Sequence, residues 1–150
     1  MHCNTMGYMA ADPKSVQRSF RFSAQTVDLL DQEAAASGMS RNALADQLLG
    51  EALRVQHHPL IRFHQGAGGR RQPLLVGTRL YVHQVIATLR ESDGDLDEAA
   101  AYLGMTATQV RAARDYYADF RAEVDHDAAT AAQFEEAERD RWERQQRALA

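Results

Sequence analysis

Residues 18–22 alternate polar and apolar side chains, the period of a half-buried strand. Phe20 and Phe22 fall on one face, with Gln17, Ser19 and Arg21 on the other. A helical period takes over at once, placing Val27, Leu30 and Ala34 at core spacing. Gly38 suits a left-handed helix end, and Ser40 is a good N-cap for a second helix carrying Leu44, Leu48 and Ala52. The pattern stops after Arg54, and residues 55–59 read as a linker. Residues 60–63 and 74–76 predict two short strands around the glycine-rich run 65–71. That run lacks the lysine and hydroxyl residue that complete a phosphate-binding P-loop, so strands on both sides favour a hairpin turn.

Gly77-Thr78-Arg79 leads into a helix near residues 82–92 that buries Val82, Val85, Ile86 and Leu89. Residues 97–117 then carry helix-turn-helix spacing. Ala100 is small where two helices approach, Gly104 takes the left-handed turn, and Leu103, Met105, Val110 and Ala113 fill the angle between helices. Thr106 and Gln109 form a capping box. Thr106, Thr108 and Arg111 face outward, toward a DNA groove or, given Asp115 and Asp119 nearby, toward protein. Residues 126–150 predict one polar helix with acid-first pairs Glu135 with Arg139, Asp140 with Arg144 and Glu143 with Arg147. Phe134, Ala137, Arg141 and Trp142 lie on or near one stripe. A solvated helix has no need of the chain's only tryptophan, so the stripe should dock, either on its own domain or on a partner.

The expected fold is therefore mainly α with short β-strands. It comprises a leader at 1–15 without fixed structure, in which Met6 and Met9 are alternative starts, and a strand-helix-turn-helix unit at 16–54. A helix-turn-helix-like unit with a β-hairpin at 58–125 and a C-terminal helix at 126–150 follow.

Net charge over the 150 residues is −4, so bulk positive charge does not hold this chain to nucleic acid; any DNA contact is local. Lys14 is the only lysine. The arginine bias suits bidentate contacts, and a GC-rich genome produces it equally well. Cys3 stands alone, which excludes a disulfide framework and a thiolate metal site. The histidines at 2, 57, 58, 64, 83 and 126 show no helical metal-ligand spacing. The serines lack an obvious base and the carboxylates fall among helix pairs, so the chain reads as a non-enzyme without catalytic residues, metal or cofactor. No apolar run approaches membrane-spanning length, and the bacterial cytoplasm, at the nucleoid, is the expected location.

The strand, helix, Gly38-Met39-Ser40 turn and second helix resemble the ribbon-helix-helix family of bacterial repressors. That resemblance implies an obligate homodimer whose paired strands enter the major groove of operator DNA. Gln17, Ser19 and Arg21 would meet base edges, and Ser40, Arg41 and Asn42 would offer a helix N-terminus to a phosphate. Ser23 stands where the family often has proline. From His58-Pro59 to Asp125 the chain is similar to the domain-of-unknown-function family 433. The similarity rests on residues 77–82, on Glu98-Ala99-Ala100-Ala101-Tyr102-Leu103, on Val110-Arg111-Ala112-Ala113 and on Tyr116-Tyr117; Tyr81 departs from the family's usual proline before valine. This family is associated with VapB-type antitoxins encoded beside toxins of PIN-like nuclease fold.

The two resemblances imply a type II antitoxin that represses its own operon and neutralises the toxin. Such nucleases gather carboxylates around a metal, so Arg139, Arg141 and Arg144, with Phe134 and Trp142 as anchors, are the expected toxin-binding residues. That segment should be loose in the free protein and ordered on toxin. The competing expectation packs it on residues 80–120 with Trp142 buried. A freestanding repressor without a toxin, and a dimerisation adaptor that does not bind DNA, are the alternative functions.

Overall fold

Six α-helices and one β-hairpin make up residues 16–149, which are the residues described by this computed structural model. The expected leader at 1–15 lies outside them. The elements are α1 (Ala24–Ser37), α2 (Arg41–His57), β1 (Ile61–Gln65), β2 (Arg71–Leu75), α3 (Val82–Glu91), α4 (Leu96–Leu103), α5 (Ala107–Asp119) and α6 (Arg121–Leu149). Two compact units part inside α2, between Ala45 and Asp46.

In the first unit Ser23 caps α1, its hydroxyl accepting from Thr26 N at 3.2 Å. Gly38 ends the helix at φ 68°, a conformation that costs a residue with a Cβ about 1 kcal/mol or more. Ser40 Oγ caps α2 by accepting from Ala43 N at 3.2 Å. Only Ala34 and Leu44 are buried among this unit's described residues. The expected strand at 18–22 is not formed: residues 16–23 carry no regular secondary structure. A strand needs a hydrogen-bonded neighbour, and among the described residues this segment has none. Val27 here and Leu48 in the second unit, both read from the sequence as core, are 41% and 42% exposed.

The second unit is built around Ile61, Leu75, Val82, Val85, Ile86, Leu89, Val110, Tyr116 and Val124, all buried. The hairpin pairs Ile61 with Leu75 through Gln65 with Arg71. It is longer than the apolar runs suggested, because polar His64 and Gln72 continue the ladder. Its tip at 66–70 closes through Gly66 N donating to Arg70 O at 2.8 Å. α4 ends on Gly104 at φ 65°. The Thr106–Gln109 capping box opens α5, with Gln109 N donating to Thr106 Oγ1 at 3.2 Å and Thr106 N to Gln109 Oε1 at 2.9 Å. Gln109 Nε2 also donates to Val76 O at 3.0 Å, fastening the turn to the strand exit.

Residues 55–57, expected in a linker, are instead the last turn of α2. Tertiary contacts hold them. Arg54 Nη1 donates to Glu123 at 2.6 and 2.7 Å and to Tyr116 Oη at 3.3 Å, and its guanidinium lies 4.5 Å from the Phe120 ring centre. Arg71 Nε donates to Glu51 at 2.8 Å, and His58 Nε2 lies 3.0 Å from Asp119 Oδ2. Pro59 follows, so the helix stops where the residue before a proline leaves helical geometry. Burial opposes the Arg54 charge, but the bonds and charge of Glu123 hold its pKa above the ordinary value. Burial chiefly, then the charge of Glu123, raises the Tyr116 phenol, which stays protonated. α6 begins at Arg121, five residues before the expected 126, because Val124 and Asp127 are core-facing.

Asp127 is 1% exposed and neither carboxylate oxygen accepts a hydrogen bond from a described residue. Arg70 Nη2 is 3.3 Å from Oδ1. Desolvation raises the Asp127 pKa and Glu123 adds to this, while Arg70 and His126 oppose it.

Two outcomes are expected. A carboxyl whose pKa is raised on folding contributes stability below its ordinary pKa and loses it as pH rises through the raised value. Asp127→Asn should therefore be more stable than the parent at pH 7, on the order of 1 kcal/mol, and the difference should vanish near pH 3 in denaturant titrations. Arg54→Ala should cost about 2 kcal/mol by the same measurement, the loss of charge-assisted hydrogen bonds at a half-buried site. A loss no larger than that of an exposed alanine substitution would remove Arg54 from its anchoring role.

Candidate functional site

Gln17, Ser19 and Arg21 are all exposed, as the sequence predicts, on the segment that precedes α1. Phe20 and Phe22 lie beside one another, ring centres 6.3 Å apart, consistent with neighbours on one face of an extended chain. They are 66% and 55% exposed. Fully covering such side chains is worth about 1.5–3 kcal/mol each, and no described residue covers this apolar face.

At the α2 N-terminus the three predicted residues have different fates. Ser40 spends its hydroxyl on the cap. Arg41 is turned back onto α1, where its Nε is 2.5 Å from Asp31 Oδ1 and its Nη2 donates to Asp31 Oδ2 at 3.0 Å. Asn42 is exposed. The backbone N–H groups of the first turn, and not the Arg41 charge, are what this end offers an anion. Beside it Asp31, Ala34, Ala35, Met39 and Ser40 line an open groove.

On the second unit, Thr106 is engaged in the capping box, while Thr108 and Arg111 are exposed on α5. Asp115 lies one helical turn beyond Arg111 on the same side, and Arg114 Nη2 pairs with it at 3.0 Å. That face is mixed in charge. It resembles a protein-facing surface as much as a phosphate-facing one. Asp125, on the opening turn of α6, is held below the ordinary carboxylate range, chiefly by the Tyr117 hydroxyl donating at 2.9 Å and then by Arg90.

The C-terminal helix carries the remaining candidates. Every residue from 132 to 149 is exposed, about 27 Å of helix at 1.5 Å per residue. Trp142 is 60% exposed and Phe134 47%. The expected packing of Trp142 on residues 80–120 is therefore not found. The segment is a regular helix through Leu149. Arg139 and Arg144 are exposed, and Arg141 Nη1 pairs with Glu138 Oε1 at 2.9 Å. The acid-first i, i+4 pairs expected here are replaced by that i, i+3 pair. Phe134 reaches back to the hairpin tip, its ring 3.2 Å from where a Cβ at Gly68 would stand, and the Glu135 charge acts on His83 of α3.

Sequence reasoning missed the Arg54–Tyr116–Glu123 cluster and the buried Asp127. Arg54 and Glu123 are 69 residues apart, and no local pattern links them. The signal for Asp127 was Val124, three residues earlier on the same helical face. His57 and His58, set aside as linker residues, prove structural in the second case: His58 packs edge-on against Tyr116 and Phe120 at 5.1 and 5.9 Å. Among the described residues no group of three metal-ligating side chains comes together, and no helix is long and apolar enough to cross a membrane.

Comparison of the chain with protein-family models finds no match, and comparisons with curated proteins and with solved structures find none either.

Proposed function

We propose that this chain is an antitoxin that binds operator DNA as a homodimer, represses its own operon and neutralises a PIN-like nuclease toxin. The observation that carries the dimeric, ribbon-bearing half of the reading is the exposed Phe20–Phe22 pair on a segment without a strand partner. It precedes two helices joined by a left-handed Gly38 and a Ser40 cap, the order of the ribbon-helix-helix resemblance. A second copy supplies the missing antiparallel strand, buries the phenylalanines, and leaves Gln17, Ser19 and Arg21 on the outer face for base edges. The antitoxin half rests on the resemblance of residues 58–125 and on an exposed helix carrying aromatic and arginine side chains. Such side chains suit a surface lined with carboxylates.

Gel-shift titration against the DNA upstream of the chain's own reading frame tests the first half. Arg21→Ala should weaken specific binding by about 1–3 kcal/mol at fixed salt while the dimer persists. Phe20→Ala should instead dissociate the dimer. An Arg21→Ala protein with undiminished operator affinity would dismiss the ribbon assignment.

Neutralisation is tested by co-expression with the adjacent reading frame. Trp142→Ala, on a surface that touches no core residue, should lose most growth rescue and keep operator binding. Full rescue by that variant would move the inhibitory surface off α6.

A further inference from the structure

An 18-residue stretch of polar helix in water is marginal by itself, since most helical stability in proteins comes from packing one face. The distal half of α6 nevertheless has such a face. Phe134, Trp142 and Leu149 fall within an arc of about 80° at 3.6 residues per turn, all of them exposed. Glu138 lies inside that arc and Arg141 beside it, and the two are paired at 2.9 Å in the single chain. Charge is also ordered along the helix. Acidic residues dominate 135–140, with Arg139 the exception, and arginines dominate 141–147, with Glu143 the exception.

We infer that this stripe docks on the same stripe of a second copy, with the two helices antiparallel. The charge order selects both the occupant and the direction. With the pair centred between residues 139 and 140, Glu138 of each copy faces Arg141 of the other, so two ion pairs form inside the seam. Phe134 faces the aliphatic part of Gln145. Trp142 then stands three residues, about 4.5 Å along the axis, from Phe134 of the second copy, close enough for the rings to share one pocket. A parallel pair in register sets Glu138 against Glu138 and Arg141 against Arg141, which is repulsive. This pairing concerns the chain alone and does not rest on the antitoxin reading; a toxin using the same stripe exchanges with the second copy.

Trp142 is the only tryptophan, so its fluorescence in the full-length protein reports this contact without interference from any other dimer interface. The parent protein should emit at the shorter wavelength of a packed indole. Glu138→Arg and Arg141→Glu, each alone, oppose like charges across the seam, should weaken pairing by about tenfold or more, and should emit as exposed indoles. An equimolar mixture of the two variants restores every opposite pair between copies and should recover the parent spectrum, which repair of the pair within one helix does not achieve. A parent spectrum typical of exposed tryptophan, or a mixture without recovery, overturns the proposal. Direction is read separately in a Cys3→Ser background. Antiparallel copies hold their two residue-148 positions about 25 Å apart along the axis, so Ala148→Cys should not crosslink with itself, and rapid disulfide formation there overturns the antiparallel arrangement.

Discussion

Arg54 is the side chain on which the second unit's arrangement most depends. Its charge is met by Glu123 at 2.6 Å and its flat face by the Phe120 ring at 4.5 Å. Tyr116, fully buried beside it, is at once a core residue and a hydrogen-bond partner. One guanidinium thus ties the end of α2 to α5 and α6. An ammonium has neither the planar face nor the fork that these contacts use. This hub explains why α2 runs unbroken to His57, and why α6 starts at Arg121 with Glu123 in its first turn.

The two units solve the burial problem differently. The second closes a core from the hairpin and four helices, and buries three polar residues, Gln72, Ser92 and Asp127. Asp127 is the costly one, because burial raises its pKa and Arg70, on the hairpin tip, is its one close counter-charge among the described residues. The first unit buries only Ala34 and Leu44 among its described residues. Capping and turn chemistry are in order there, yet local order without apolar burial does not sustain a domain. Phe20 and Phe22 state the deficit directly.

Exposed apolar surface thus appears at both ends of the described chain, on residues 16–22 and on the distal half of α6. Single exposed apolar side chains are ordinary. Paired phenylalanines on a segment outside regular secondary structure, and a stripe of exposed apolar side chains along the distal half of α6, are organised, and organisation of that kind points to association.

Local chemistry was legible in the sequence. The Ser40 cap, the left-handed glycines at 38 and 104, the Thr106–Gln109 box and the hairpin around 66–70 all appear as read. Each depends on residues within four or five positions of one another, which a linear reading sees. The core face of α3 was equally legible, because Val82, Val85, Ile86 and Leu89 repeat at the helical period. What the sequence did not determine was every outcome that depends on a distant partner. The strand at 18–22 has the right alternation but no ladder to join. The last turn of α2 is held by Glu123, 69 residues after Arg54. Asp127 looks like one more acid on a polar helix until the hairpin tip meets it, and Trp142 could as well dock on its own domain until the helix carries it clear. Periodicity says which face of an element is apolar; only tertiary structure decides whether anything lies against that face.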